Sequence, residues 1–307
     1  MLRFITNRLL QGIIVLIALY TITFFLIKAM PGDPFTGEKN IAEETKQLMR
    51  EKYGLNESKF RQYFLYLKNV FTEGSLGIST SKAHSVNDMI GQSFPVSCIL
   101  GLTALSFAIG LGVPIGVASA VRKNSWVDYS AMALAMVGIC VPAFTVGPLL
   151  QIMLSMKIPL FNVAGWETPR DVILPAITLG LVTAAYIARL TRSGMLEILS
   201  QDYIRTAHAK GLPVTRVVCK HALRGGLLPA VAYIGPAFAA LISGSFIVET
   251  IFQVPGMGQH FVNATKARDP FLLQGVVLFF GLLIVIMNLA ADILTGFLNP
   301  RVRLGQE

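Results

Sequence analysis

The residue types that carry out covalent chemistry are few in this chain, and their spacing forms no catalytic pattern. A hydrolase that works inside a membrane needs a serine and a histidine at the same depth. Ser243 and Ser245 lie in a long apolar stretch, but every histidine lies outside such stretches. The four histidines are His84, His208, His221 and His260. The sequence therefore predicts no intramembrane hydrolase and no catalytic residue.

Metal and nucleotide chemistry are not predicted either. The sequence contains neither His-Glu-x-x-His nor a Cys/His cluster with the spacing of zinc ligands. It also lacks the Gly-x-x-x-x-Gly-Lys-Ser/Thr loop that cradles phosphates, so this chain should not hydrolyse ATP alone. We expect no metal site and no cofactor.

The polar segment with the clearest signals for the starts and ends of helices runs from residue 191 to 226. Asp202 suits the start of one helix, Gly211 supplies a left-handed stop, and Pro213 can begin the next helix. The second helix places basic residues at i, i+4 and i+8, and directs its valines elsewhere. The basic residues are Arg216, Lys220 and Arg224, and the valines are Val214, Val217 and Val218. Lipid phosphates would explain the charge of this helix–turn–helix elbow, whereas a protein partner explains both the charge and the sharp turn.

The composition indicates which class of protein contains this elbow. Of 307 residues, 53% are hydrophobic and 14% are charged, and the mean hydropathy is +0.61. Soluble domains are about 25% charged, so a soluble, disordered or collagenous class is excluded. Cys98, Cys140 and Cys219 do not imply a disulfide framework. The chain is predicted to be a polytopic membrane protein.

Six apolar stretches are long enough to cross a bilayer, which takes roughly 20 residues. They are residues 9–29, 96–121, 127–156, 172–190, 227–248 and 276–298. The first is predicted to be a retained anchor, because its apolar core is too long for a signal peptide. The third contains Pro142 and Pro148, each of which favours a bend.

The charges between the spans predict the orientation. With the N-terminus inside, the inner segments hold 13 Lys/Arg and four Asp/Glu, which accounts for the whole net charge of +9. In the outer segments, the number of Lys/Arg residues equals the number of Asp/Glu residues. The positive-inside rule therefore places both termini in the cytoplasm. The basic pI of about 9.6 thus reflects topology, and nucleic acid is not an expected partner.

The long outer segment 31–95 is predicted to contain two amphipathic helices, over 41–53 and 57–72, with Asn56 capping the second. It could form a lid on the outer mouth or a docking surface for an external partner. Inside the spans, Asp292 is the clear ionisable residue, and a structural partner such as Arg189 or Arg301 is favoured over an ion site. Gly112 and Gly116 have the spacing of close helix packing.

The elbow closely resembles the coupling loop of binding-protein-dependent ABC importer permeases, which reads Glu-Ala-Ala-x-x-x-Gly. Arg205-Thr206-Ala207 and Gly211 occupy these positions in the form of the peptide and nickel branch. Other motifs extend the likeness along nearly the whole chain: Pro31-Gly32-Asp33 after the first span, and Glu249-Thr250-Ile251-Phe252 with Pro255-Gly256-Met257-Gly258 after the fifth. The set looks like the B-type permease subunit of an oligopeptide transporter.

This resemblance implies an all-α polytopic membrane protein with six transmembrane helices and the type I ABC importer transmembrane fold. It divides the chain into an anchor helix (1–30), an extracytoplasmic helical segment (31–93), the transmembrane domain (94–298, with the coupling loop at 191–226) and a cytoplasmic tail (299–307). The expected location is the bacterial inner membrane.

The resemblance also implies a function and a set of partners. The chain would be the permease subunit of an ATP-driven peptide importer, coupled to two cytoplasmic ATP-binding subunits. A second, C-type permease, an extracytoplasmic peptide-binding protein and membrane lipid would be its other partners. The implied ATPase-coupling residues are Arg205, Thr206, Ala207, Lys210, Gly211 and Pro213; substrate-binding residues remain unknown. The alternatives are an importer for nickel or another solute of the same branch, and an ion-coupled carrier. A carrier would require internal repeats and several buried charges, which the sequence lacks.

Overall fold

The structure is a computed structural model that describes the backbone of residues 2–30, 47–48, 50–51 and 53–298. The predicted helix over 41–53 and the motif at 31–33 lie largely or wholly outside these residues. The first helices are α1 (Leu2–Ala29), α2 (Lys59–Glu73), α3 (Val86–Val121), α4 (Trp126–Cys140) and α5 (Ala143–Gln151). A π-helical stretch, Ile152–Lys157, and a 3₁₀ turn, Pro169–Val172, then lead to α6 (Ile173–Leu199).

The second half of the chain contains the elbow and the last spans. Its helices are α7 (Asp202–Ala209), α8 (Val214–Arg216), α9 (Leu223–Gly226), α10 (Leu228–Ser243), α11 (Phe246–Ile251), α12 (Met257–Ala267) and α13 (Pro270–Leu298). The π-helical stretch Val217–Ala222 joins α8 to α9. The described residues contain no strand, only an isolated bridge between Ile78 and Ser85. The all-α class is therefore confirmed.

The predicted number of spans agrees with the structure. Within the described residues, five helical stretches are long and apolar enough to cross a membrane, and a sixth is present if α4 and the stretch Ala143–Lys157 count as one bent span. The angle between these two parts is 99°. The bend predicted at Pro142 is confirmed, because Val141 is extended (ψ 119°) and Pro142 is the N-cap that precedes α5. Pro148 lies inside α5.

Several predicted boundaries were wrong. Helix α3 begins at Val86 and not at residue 96, so Pro95 lies inside it. The stretch 86–95 is too polar to look like a span, but its Met89 and Ile90 are buried. Helix α6 continues to Leu199. The cap of α2 is Ser58 and not Asn56: the Ser58 hydroxyl accepts from the Arg61 amide, and Asn56 belongs to the turn at 53–56.

The described residues form two compact units. One contains 98–254 and 286–298, and the other contains 255–285 with the described part of 2–97. In the first unit, close helix packing at Gly112 and Gly116 is confirmed. An ideal Cβ on Gly112 would lie 2.6 Å from the Ala184 carbonyl oxygen, and one on Gly116 would lie 2.5 Å from that of Ala188. These glycines therefore allow α3 to pack backbone-close against α6.

The second unit has an aromatic core. Tyr20 and Phe24 of α1 pack against Tyr66 of α2, and all three side chains are buried. The Tyr20 and Tyr66 rings are stacked with their centroids 5.7 Å apart. The Tyr20 hydroxyl donates to the Tyr63 carbonyl at 2.7 Å. These contacts fix α2 along α1.

Candidate coupling elbow

The first limb of the elbow is helix α7, whose two faces differ. Ile204 and Ala207 are buried at 1% and 7% exposure, while Arg205, Thr206 and Lys210 are exposed. Arg205 forms an exposed ion pair with Asp202 at 3.3 Å. The helix therefore rests on one apolar face and presents a polar face outward.

The turn of the elbow is made by Gly211, as the sequence predicted. Its φ is +74°, in the left-handed region. Its amide donates to the His208 carbonyl at 2.9 Å, and the Leu212 amide donates to the Ala207 carbonyl at 3.3 Å. No atom of the described residues lies within 4 Å of an ideal Cβ on Gly211. The backbone conformation is therefore what favours glycine here.

The second limb begins at Pro213 and changes helical type after Arg216. Arg216, Lys220 and Arg224 are exposed, which confirms the basic face, and Val217 and Val218 are buried. Val214 was predicted to point away from that face but is 54% exposed. It opens the helix, and the wider π-helical turn that follows shifts the register of the later residues.

A buried aliphatic cluster supports both limbs. Ala207 of the first limb and Val217 of the second pack with Met195 of α6. At the base of the elbow the backbones approach closely. A Cβ on Gly194 would lie 2.3 Å from the Gly226 carbonyl oxygen. The elbow is therefore joined to the end of α6 by direct packing.

An ion pair that sequence reasoning missed ties the same part of α6 to α4. The Arg192 guanidinium donates to both Asp128 carboxylate oxygens, at 2.6 and 2.8 Å. Asp128 is 1% exposed and also accepts from the Ser119 hydroxyl and from the Asn124 amide. We refer to Asp128 and Arg192 as the clamp. Such bidentate pairs fix the relative orientation of two helices.

The two serines considered for chemistry are hydrogen-bonded close to their own positions in the chain. The Ser243 hydroxyl donates to the Ala239 carbonyl at 2.8 Å, and the Ser245 hydroxyl donates to Glu249 at 2.6 Å. Among the described residues, no group of three or more His, Cys, Asp or Glu side chains is placed to hold a metal ion. Arg301 lies outside the described residues, so the pairing of Asp292 stays a prediction.

Comparisons with known proteins identify the family to which this chain belongs. Residues 112–304 match the model of the "binding-protein-dependent transport system inner membrane component", and residues 1–101 match the model of the corresponding N-terminal region. The chain belongs to this family of inner membrane transport components. It is therefore a multi-pass protein of the bacterial inner membrane, and its elbow lies within the matched transport region.

Members of this family with high similarity cover the full chain. The oligopeptide transport system permease protein of Escherichia coli is 42% identical, and that of Haemophilus influenzae is 41% identical. Both matches cover 99% of this chain and 100% of the relative. The dipeptide transport system permease protein of Bacillus subtilis is 39% identical over 99% of each chain.

A solved structure supports the fold. A chain of the inward-facing MetNI methionine ABC transporter aligns with a TM-score of 0.60 and 16% identity. The alignment covers 69% of this chain and 96% of that chain. The transmembrane fold is thus that of ABC importer permeases, as the sequence resemblance implied.

Proposed function

We propose that this chain is the permease subunit of an ATP-driven importer of peptides. The observation that carries the proposal is the similarity, over 99% of the chain, to permeases of oligopeptide and dipeptide transport systems. In this function the chain forms half of a translocation pathway, and separate subunits hydrolyse ATP. Nickel or another solute of the same branch is the alternative cargo, and the peptide permeases among the relatives favour peptide.

The elbow is the proposed contact with a cytoplasmic ATP-binding subunit. Five of the six residues inferred from the family motif are exposed and can meet a partner: Arg205, Thr206, Lys210, Gly211 and Pro213. Ala207 is buried at 7% exposure, so its role is to hold α7 on the aliphatic cluster. Tyr203 and Val214 stand exposed beside the basic residues. Aromatic and Arg side chains together are typical of protein interfaces.

The path of the signal follows from the packing. Movement of the ATP-binding subunits would press on the elbow, and the contact at Gly194 would pass that movement to α6. The clamp would pass it on to α4, which leads to the bend at Pro142. ATP binding would thus change the arrangement of the bent span.

The remaining partners follow from the same family assignment. A C-type permease would form the other half of the pathway, two ATP-binding subunits would dock on the elbows of the pair, and an extracytoplasmic protein would deliver the peptide. The charge asymmetry supports cytoplasmic termini. We retain the division into 1–30, 31–93, 94–298 and 299–307 as a functional one.

Replacing Gly211 with Trp in the assembled importer tests the coupling role. A side chain in the left-handed conformation costs about 1–2 kcal/mol, and tryptophan also blocks close approach to the elbow. Since about 1.4 kcal/mol is a factor of ten in an equilibrium constant, we expect docking of the ATP-binding subunit to weaken about tenfold or more, and ATP hydrolysis stimulated by peptide and binding protein to decrease. Peptide uptake into proteoliposomes should decrease with it.

Gly54→Trp is the matched control. Gly54 has a φ of +66°, and the described residues leave open space at its Cβ position. It lies in the outer segment and not in the elbow, so this variant should insert and co-purify with the ATP-binding subunits like the parent. If Gly211→Trp retained normal ATPase co-purification and normal uptake, the coupling assignment would be wrong. If labelled peptide were not transported by the parent complex, the cargo assignment would be wrong while coupling could still be measured.

A further inference from the structure

Helix α2 has an exposed aromatic stripe that its packing inside the protein does not explain. Phe60, Phe64 and Phe71 are 70%, 63% and 72% exposed. At about 100° per residue they fall within about 40° of one another around the helix. The buried face, centred on Tyr66, lies on one side of this stripe. On its other side lie Lys68 and Arg61, both exposed.

An exposed apolar stripe with basic residues beside it is characteristic of a helix that lies at a membrane surface. An interfacial helix buries apolar side chains at the boundary of the acyl chains and carries Lys or Arg beside them, facing the headgroups. Phenylalanine has no polar atom that water or a hydrophilic protein surface could pair with. The stripe is therefore suited to hydrocarbon, and its basic flank to phosphate.

An apolar groove begins where the stripe ends. It has a volume of about 420 Å³ and lies between α1, α2 and α13. Phe71 lines it together with Ile17 of α1 and Leu282 of α13. Ile17 and Leu282 are 44% and 43% exposed and belong to helices long and apolar enough to span the membrane. The open side of the groove therefore lies on the apolar surface of two candidate membrane spans.

The polar atoms at the groove wall are already paired. The Asn87 side chain donates to the Gly74 carbonyl and accepts from the Leu76 amide, both at 2.8 Å. The Tyr20 hydroxyl donates to the Tyr63 carbonyl. A peptide lying here would leave its own backbone groups without partners, which is costly in an apolar site.

We propose that this groove binds an acyl chain of an anionic phospholipid whose phosphate lies at the basic flank of α2, beside Lys68. Arg61 is already paired with Glu57 at 3.2 Å, so Lys68 is the principal headgroup contact. The proposal depends on membrane insertion alone and not on the cargo or on coupling.

The test uses the assembled importer in nanodiscs of phosphatidylcholine with a minor fraction of phosphatidylglycerol, with one of the two lipids brominated on its chains. Phe71→Trp provides the fluorescent reporter, and the parent complex provides the background from Trp126 and Trp166. Leu26→Trp is the control for bulk lipid, because Leu26 is 63% exposed on α1 and does not line the groove. Each variant must co-purify with its partner subunits and melt like the parent.

We expect brominated phosphatidylglycerol to quench the Phe71→Trp fluorescence several-fold more than brominated phosphatidylcholine at equal mole fraction. Leu26→Trp should show no such preference. Lys68→Gln should abolish the preference, while Lys59→Gln, which removes the same charge from the opposite flank of α2, should retain it. Ile17→Phe, which fills the groove, should reduce quenching by both lipids.

Two results would overturn the proposal. Equal quenching of Phe71→Trp and Leu26→Trp by both lipids would mean bulk lipid only. Absence of quenching at Phe71→Trp, together with photo-crosslinking from position 71 to another subunit, would mean that a protein covers the groove.

Discussion

The elbow and helix α2 both expose basic side chains, but they differ in the uncharged residues that stand beside them. The elbow exposes Tyr203 and Val214 next to its Arg and Lys residues, and α2 exposes three phenylalanines. A tyrosine can also form a hydrogen bond with a polar protein surface, whereas a phenylalanine can only bury apolar area. Charge alone therefore does not identify the partner; the apolar residues next to it do.

The two regions also differ in how they are held. The elbow rests on an aliphatic cluster, on a close glycine contact and, through α6, on the clamp. Helix α2 rests on stacked aromatic rings. The elbow is thus held by aliphatic packing and an ion pair, and α2 by aromatic packing. The predictions below test this difference, beginning with the largest expected effect.

The largest effect should come from breaking the clamp with Asp128→Ala. Removing one partner of a buried ion pair costs about 3–5 kcal/mol. Because the Arg192 side chain is 27% exposed, we expect a value near the lower end, about 3 kcal/mol. Thermal denaturation of the purified complex in detergent would show this as a clearly lower melting temperature.

Asp202→Ala is the control for the clamp. It breaks the exposed pair with Arg205, in which the side chains are 95% and 76% exposed, so we expect a change of about 0–1 kcal/mol. Equal melting temperatures for the two variants would mean that the clamp does not support the elbow.

An intermediate effect is expected from Gly194→Ala at the base of the elbow. The new methyl group would lie 2.3 Å from a backbone carbonyl, so the backbones must separate, at a cost of about 1–3 kcal/mol. Besides a lower melting temperature, ATP hydrolysis should respond less to peptide.

Gly110→Ala provides the comparison for this variant. Gly110 is also helical, and in the part of the chain that the structure describes nothing lies within 4 Å of its Cβ position. Alanine there should be neutral or stabilise by up to about 1 kcal/mol. A Gly194→Ala complex that matched Gly110→Ala in both measurements would argue against a tightly packed base.

The smallest effect on stability should come from Phe64→Ala in the exposed stripe. Its side chain is 63% exposed, so we expect a change within about 0.5 kcal/mol in detergent, as for other surface substitutions. In nanodiscs, the same variant should weaken the preference for phosphatidylglycerol reported by Phe71→Trp. A large loss of stability in detergent would show that Phe64 is a core residue and not a membrane contact.

The sequence predicted well what local chemistry controls. Gly211 was correctly predicted to have a left-handed backbone, because a glycine that follows a helix and precedes Leu212-Pro213 typically ends that helix. The bend at Pro142 was predicted because a proline restricts the residue before it and lacks an amide proton. The predicted cap of α2 was wrong because Asn56 and Ser58 are both good capping residues, and in the fold Asn56 belongs to the turn at 53–56 while Ser58 caps the helix.

Pairings between distant residues could not be predicted. Asp128 and Arg192 are separated by 64 positions, and the sequence analysis counted them only among the charges of the inner segments. The start of α3 at Val86 was missed for a related reason, because tertiary packing buries Met89 and Ile90 in an otherwise polar stretch. Local patterns carry no information on which distant surface a residue will meet.

The sequence by itself determined the membrane class, the spans, the family and the position and turn of the elbow. These follow from composition, from apolar run length and from backbone preferences at glycine and proline, all of which act locally. Only the tertiary structure decided that Ala207 is buried while its motif neighbours are exposed, that Asp128 binds Arg192, and that the phenylalanines of α2 remain uncovered. Burial depends on which helices pack together, and that is a property of the whole folded chain.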